Sequence, residues 1–197
     1  MEISKIFELR RSIYSLNDKS NLTQSEINKL IESCLKNAPS AFNSQSSRLI
    51  ILYDSAYQNF WNKTLELLKS LTPPEKFSQT SQKINSFQQG IGTILFFEDR
   101  EIVKNLQQQY PLYANNFPKW AIQANAMLQY MIWTTLAEKN IGASLQHYNP
   151  LVDEMVQKEF SAPKTWELIA QMPFGGIEQP AQAKTFEPIS SRLKILS

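Results

Sequence analysis

The chain carries a short polar segment in which hydroxyl and amide side chains crowd together. Residues 37–48 contain four serines, two asparagines and a glutamine, and they lead into an apolar run at residues 49–53. Such side chains form a compact set of donors and acceptors for the polar edges of a planar heterocycle. Arg10, Arg11 and Arg192 could pair bidentately with a phosphate on the same ligand. The alternative is that the segment only ends a helix in a turn, as Pro, Ser and Asn often do.

His147 is the single histidine of the chain and lies at the end of an apolar run. No serine or cysteine nucleophile motif accompanies it, so we favour a packing or hydrogen-bonding role over a general base. Cys34 falls in an apolar helical pattern, and one cysteine with one histidine is too few for a zinc site. The glycine-rich motifs of Rossmann and P-loop phosphate sites are also missing. This pattern is typical of a protein whose reactivity comes from a bound cofactor, with no catalytic side chain and no metal.

Composition excludes several classes of partner. The 197 residues are 42% apolar, which is typical of a packed globular protein, and we expect one domain over residues 1–197. The net charge of +2 comes from 20 basic and 18 acidic residues scattered along the chain, so no basic stripe indicates nucleic-acid binding. No segment resembles a signal peptide or a membrane span, and we expect a cytoplasmic protein without membrane insertion.

Apolar periodicity predicts a mixture of helices and strands. Helices are predicted over residues 23–36, 55–71, 75–89, 100–109, 118–140 and 151–160, and strands over residues 49–53, 91–97, 143–148 and 166–174. The spacing Thr23-x-x-Glu26 indicates a capping box at the start of the first helix. The helix over residues 118–140 is apolar nearly all round, which favours a central helix buried on several sides or shared with a partner subunit.

Five segments, in this order along the chain, resemble the nitroreductase family. They are Arg-Arg-Ser at residues 10–12, Ala-Pro-Ser-Ala-Phe-Asn-Ser-Gln at 38–45, Gly-Thr-Ile-Leu-Phe-Phe-Glu-Asp at 92–99, Leu-Gln-His-Tyr-Asn-Pro at 145–150 and Gln-Met-Pro-Phe-Gly at 171–175. The resemblance is strongest to the branch that contains the yeast-type fatty-acid-repression-mutant proteins. It implies an α+β fold with helices around a mainly antiparallel sheet, an intertwined homodimer, and FMN bound noncovalently at the subunit interface.

The resemblance also assigns cofactor-binding roles to individual residues. Residues implied at the ribityl phosphate are Arg10, Arg11, Ser12 and Arg192. Residues implied to reach the flavin of the opposite subunit are Ser40, Phe42, Asn43 and Gln45. Residues implied beside the isoalloxazine ring are Leu145, Gln146 and His147.

The chain departs from the family pattern at three places. Tyr14 stands where many nitroreductases have a lysine near the pyrimidine edge of the ring, so that charge is missing unless Arg11 or another residue replaces it. Ser190 stands where a second basic residue often accompanies the terminal arginine. The sequence Gln-His-Tyr-Asn at residues 146–149 replaces an acidic position of the wider family. The nicotinamide preference and the electron acceptor therefore stay open.

Two functions follow from the resemblance. The first is an FMN oxidoreductase that passes electrons from NAD(P)H to a small acceptor, such as a nitroaromatic or quinone, in a ping-pong cycle that requires no side-chain acid or base. The second is a flavin-binding regulatory protein in lipid or redox signalling with little turnover.

Overall fold

A five-stranded sheet runs through the centre of the molecule, and all pairings between its strands are antiparallel. The computed structural model describes residues 2–196. The strands are β1 (Leu16–Asn17), β2 (Ser47–Tyr53), β3 (Gly92–Asp99), β4 (Gly142–Ala143) and β5 (Trp166–Ile177). Their order is β1-β5-β3-β2, with β4 also paired to β5. The α+β class with a mainly antiparallel sheet is therefore confirmed.

Helices cover both faces of this sheet. They are α1 (Ile3–Leu9), α2 (Gln24–Asn37), α3 (Asp54–Leu71), α4 (Pro74–Gln88), α5 (Arg100–Gln109), α6 (Phe117–Glu138) and α7 (Asp153–Glu159). Short 3₁₀ turns lie at Ala41–Asn43, Pro111–Tyr113 and Ile189–Ser191. Within residues 2–196, no helix is long and apolar enough to cross a bilayer.

Strand β3 is buried along its whole length. Ile94 and Phe96 pack into one core cluster with side chains of α2 and α6, whereas Leu95 and Phe97 pack into a second cluster with α3 and α4. Because both faces are buried, most residues of the strand are apolar, and apolar and polar residues do not alternate along it. Each such side chain stabilises the fold by about 1.5–3 kcal/mol relative to an exposed position.

Helix α6 forms one wall of the first cluster. Its buried side includes Leu128, Ile132 and Leu136, while Ile122 and Tyr130 on other sides remain exposed. The chain leaves the helix at Asn140, whose φ of 58° is left-handed, as expected for an asparagine near a helix end. The central helix predicted over residues 118–140 is confirmed, with an apolar surface left uncovered in the single chain.

The strand predicted over residues 143–148 is wrong beyond its first residue. Only Gly142–Ala143 forms a strand, and Gln146 makes a single bridge to Gln171. The ladder stops there because the N–H of Tyr148 donates to the side-chain Oε1 of Gln171 at 2.8 Å, in place of a backbone carbonyl. Helix α1 and strand β1 were not anticipated from the sequence.

The capping box at the start of α2 gives a direct test of local stability. Thr23 Oγ1 accepts from the N–H of Glu26 at 3.3 Å, and Glu26 Oε2 accepts from the N–H of Thr23 at 2.8 Å. Thr23→Ala removes one partner of this box, so we expect it to lower the free energy of unfolding by about 1 kcal/mol in urea titrations. Ser33→Ala, at an exposed site in the same helix, is the control and should change it by less than about 0.5 kcal/mol. Equal losses in both variants would contradict the assigned cap.

Candidate functional site

The N-terminal arginines lie beside a cavity of about 560 Å³. Residues 10–15 form one wall, and the segment that follows β5 forms the other, contributing Gln182 and Lys184. The backbone that carries the arginines is held in place because the N–H of Ile13 donates to the carbonyl of Ala143 at 2.9 Å. Arg11 donates to the carbonyl of Gln182 across the cavity. Charge and donors of this kind suit a phosphate or another anion.

Arg10 is oriented by helix α6. Its guanidinium carbon lies 4.3 Å from the centre of the Trp133 ring, a cation–π contact. The indole N–H of Trp133 donates to the carbonyl of Ala143 at 3.1 Å. One tryptophan thus fixes the arginine, the helix and strand β4 relative to one another.

Arg192 is exposed and is not among the residues that line this cavity. The C-terminal segment instead contributes Lys184, eight residues earlier, whose ammonium also lies 4.8 Å from the Phe186 ring. Within one chain, therefore, Arg10, Arg11 and Lys184 come together and Arg192 does not join them. No motif in the sequence distinguished Lys184 from other lysines. The role of Arg192 at a phosphate stays a prediction.

The polar segment before β2 is a tight loop with an uncommon backbone. Phe42, Asn43 and Gln45 have φ values of 57°, 51° and 47°, in the left-handed region that residues other than glycine rarely adopt. The conformation is held because Ser40 Oγ accepts from the N–H of Gln45 at 3.0 Å and Arg48 donates to the carbonyl of Gln45 at 2.7 Å. Strain of this kind, concentrated in one loop, is typical of binding sites more than of an ordinary helix-ending turn.

Phe42 brings this loop into an aromatic cluster that the sequence did not predict. The ring is 49% exposed. Its centroid lies 4.7 Å from Tyr110, 5.2 Å from Phe117 and 6.2 Å from Trp120, the last nearly parallel at 21°. The density of aromatic residues between positions 110 and 120 was the available signal. The cluster presents a flat apolar surface beside the polar loop.

The side chains of residues 145–147 differ in burial around the bridge that joins Gln146 to β5. Gln146 is buried, exchanges backbone hydrogen bonds with Gln171 at 2.7 and 2.9 Å, and donates from its side chain to Ser144 at 3.0 Å. Leu145 is partly exposed and His147 is exposed. The side chain of Gln171 is fully buried, and its Nε2 has no hydrogen-bond partner within residues 2–196. The segment therefore presents His147 to solvent, while Gln146 anchors it and Leu145 packs partly against the first core cluster.

Lys83 of α4 is a second cation that the sequence left unnoticed. Its ammonium lies 5.7–5.9 Å from the ring centres of Tyr14, Phe87 and Tyr148, next to both the N-terminal motif and residues 145–147. Partial desolvation lowers the pKa of Lys83. Burial raises the pKa of Tyr148 to about 12, so this neighbour stays a neutral phenol at physiological pH. Lys83 is thus a cation close to Tyr14, the position where a lysine is missing.

The strained loop and the arginine cavity lie at opposite ends of the sheet. Ser47, directly after the loop, pairs with Glu98 at the end of β3, whereas Ala143, beside the arginines, pairs with Phe174, which in turn pairs with Gly92 at its start. Strand rise and strand spacing put these two groups roughly 25 Å apart. One small ligand cannot touch both within a single chain.

Comparison with known proteins shows which family of proteins the chain is similar to. The family model described as the nitroreductase family matches residues 8–176. Nitroreductase FRM2 of Saccharomyces cerevisiae is 29% identical, over 90% of this chain and 89% of its own length. The structure of nitroreductase CinD from Lactococcus lactis in complex with chloramphenicol is 41% identical, with full coverage of both chains and a TM-score of 0.90. A protein from Exiguobacterium sibiricum in complex with FMN, 11% identical, shares the fold with a TM-score of 0.75 and coverage of 100% and 98%.

The matched region includes the arginine motif, the strained loop, residues 145–147 and the sheet except for Ile177, the last residue of β5. The expected resemblance to the branch of the yeast proteins is confirmed by the match to FRM2. The chain belongs to the nitroreductase family.

Proposed function

We propose that this protein is an FMN-dependent oxidoreductase that transfers electrons from NAD(P)H to small aromatic acceptors such as nitroaromatics or quinones. Membership of the nitroreductase family supports the general oxidoreductase class. The observation that carries the proposal is the separation of two binding surfaces, a cationic cavity and a strained polar loop, at opposite ends of one sheet. Two copies of the chain could bring these surfaces together around one cofactor.

The residues present fit FMN. Arg10, Arg11 and Lys184 line a cavity with enough positive charge for one phosphate dianion, and Ser12 adds a hydroxyl.

In this mechanism the chain binds and orients, and bound FMN would supply the redox chemistry by taking electrons from NAD(P)H and passing them to the acceptor. Arg10, Arg11 and Ser12 would hold the phosphate, and residues 145–147 would set the height of the ring. The loop around Ser40 of a second subunit would close the other side and exclude water. No side chain needs to donate or remove a proton for this role.

The acceptor class follows from the aromatic cluster. The exposed faces of Phe42 and Tyr110 form an apolar surface on which a planar acceptor could stack. The relative CinD has been observed with chloramphenicol and with 4-nitrophenol, both nitroaromatic compounds. We therefore propose nitroaromatics as the first acceptors to assay.

A homodimer is part of the proposal. Apolar side chains that remain exposed in the single chain include Ile122, Met127 and Tyr130 on α6. The C-terminal segment exposes a further apolar set, namely Phe186, Ile189, Leu193, Ile195 and Leu196. A large number of exposed apolar side chains supports an interface between two copies of the chain.

Sedimentation equilibrium tests the dimer. We expect the mass of two chains for the wild type, and a shift toward one chain for Met127→Glu, because a carboxylate in an apolar interface must be desolvated without a partner. Leu71→Glu, an equally apolar-to-acidic change at the exposed end of α3, is the control and should remain dimeric. A flavin-loaded wild-type monomer would contradict the dimer.

Fluorescence titration with FMN tests the cofactor site. The wild type should bind FMN and turn yellow, and acid should release FMN and not FAD. Arg11→Ala should weaken binding about tenfold or more, because a charge-assisted contact to phosphate contributes about 1.5–3 kcal/mol. Arg192→Ala should weaken it similarly if the C-terminal arginine reaches the phosphate. Lys76→Ala, exposed on α4, is the control. A wild-type protein that gains no flavin absorbance with FMN would contradict the proposed FMN site.

Steady-state turnover tests the role of His147. With NADH or NADPH as donor and a nitroaromatic as acceptor, we expect parallel double-reciprocal plots, because the two substrates take turns at one cofactor. His147→Ala should keep measurable turnover, since this exposed side chain only borders the site. If the variant binds FMN normally but NAD(P)H no longer bleaches its flavin absorbance at any pH, His147 is required for reduction of the flavin. No turnover in a fully loaded wild type would favour the regulatory function.

A further inference from the structure

Glu98 is a completely buried carboxyl group near the end of β3. Its Oε2 accepts hydrogen bonds from Ser47 Oγ at 3.3 Å and from Asn125 Nδ2 at 3.2 Å. Its Oε1 has no hydrogen-bond partner within residues 2–196. Carboxyl groups are seldom buried to this degree without a paired cation, so the position needs an explanation.

The charged groups around Glu98 do not neutralise it. Arg48 on β2 pairs with Asp99 at 3.3 Å, and Arg100 at the start of α5 pairs with Glu167, which lies directly opposite Glu98 on β5. An ionised Glu98 would therefore be a buried charge with two acidic neighbours and with both nearby arginines already paired. Burial raises the pKa of Glu98, although the neighbouring side chains of Ser46, Asn125 and Ser47 and the charge of Arg100 act in the opposite direction. The neutral acid is the form that fits this environment.

The contacts of Glu98 join helix α6 to the sheet. Asn125 of α6 donates to Glu98, to the carbonyl of Phe97 at 2.9 Å and to Ser47 Oγ at 3.3 Å. Its own Oδ1 accepts from Gln129 Nε2 at 2.8 Å, one turn further along the helix. A buried polar network with this many shared partners fixes the helix at one position on the strand.

The same network reaches the strained loop. Ser46 is buried, its carbonyl accepts from the N–H of Asp99 at 3.0 Å, and its hydroxyl lies 3.3 Å from that of Ser44. Ser47, the direct neighbour of Ser46, bonds Glu98. The loop over residues 40–45 is therefore anchored at its C-terminal end by the residues that contact Glu98.

We infer that Glu98, as a neutral carboxylic acid, is a positioning residue that sets where the loop over residues 40–45 lies. This inference rests on the proposed function, in which that loop closes over the flavin of a second subunit. Glu98 touches neither cofactor nor acceptor. It acts through Ser47 and Asn125, which fix the loop to β3 and α6.

The inference gives the loop a pH dependence with a definite sign. Because the pKa is raised in the folded protein, the folded state holds the proton more tightly than the unfolded state does. The stabilisation is complete below the unfolded pKa, about 4.3, and is lost as the pH rises toward the folded value. Raising the pH through this window should lower the melting temperature and loosen the loop. Glu98→Gln, which cannot ionise, should remove the contribution of Glu98 to both changes.

Amide hydrogen exchange of residues 40–46, measured by mass spectrometry on the full chain without added flavin, tests the positioning role directly. Glu98→Ala removes one acceptor of Asn125 and leaves the Ser47 hydroxyl without its acceptor, so exchange in the loop should speed up by about tenfold or more. Glu98→Gln keeps the shape and the acceptor oxygen, and should exchange as slowly as the wild type at low pH and more slowly at high pH. Glu101→Gln, an exposed carboxylate three residues away, is the control and should follow the wild type.

FMN affinity, measured on the same variants, connects the loop to the proposed site. Glu98→Ala should weaken FMN binding by about tenfold, whereas Glu98→Gln should bind FMN as tightly as the wild type does. If Glu98→Ala does not fold, Ser47→Ala removes one donor at lower cost and should raise loop exchange to a smaller extent. Wild-type exchange rates in both alanine variants, or a Glu98→Gln loop as fast as that of Glu98→Ala, would overturn the inference. A wild type that binds no FMN would instead overturn the proposed function, because the exchange measurement needs no flavin.

Discussion

The burial of β3 on both faces is the constraint on which the rest of the structure depends. Its side chains alternate between two separate cores, Ile94 and Phe96 toward α6 and Leu95 and Phe97 toward α3 and α4. A strand enclosed in this way leaves no room for polar chemistry along its faces, because unpaired polar groups there would be desolvated. The charged groups of β3, Glu98 and Asp99, therefore lie together at one end of the strand.

Each end carries one half of the proposed site. The end near Gly92 lies beside β4 and the arginine motif, and the end near Glu98 anchors the strained loop. The sheet between them is stiff, so the two halves cannot approach each other by bending. A second copy of the chain is the simplest way to complete the site, which connects the exposed apolar surface of α6 to the proposed cofactor.

The end near Glu98 shows how a stable core and a functional loop can share one residue. An apolar residue in place of Glu98 would suit the core but would leave the Ser47 hydroxyl without its acceptor and would remove one acceptor of Asn125. A neutral carboxyl group bonds both and is tolerated at full burial. The contact that stabilises the helix–sheet junction therefore also determines the position of the loop.

The sequence by itself determined the features that depend on local spacing. Neighbouring residues are enough to predict the capping box of Thr23 and Glu26, the apolar run of β3, the long helix α6 and the family motifs. The structure and the comparisons confirm these features.

Only the tertiary structure decided that Lys184 joins the arginine cavity, that Phe42 lies in an aromatic cluster and that Glu98 is buried while both nearby arginines are paired with other carboxylates. It also ended the strand predicted over residues 143–148, through the side chain of a residue on β5. These features depend on neighbours distant in sequence, and the propensities of a single segment carry no information about which groups will surround it.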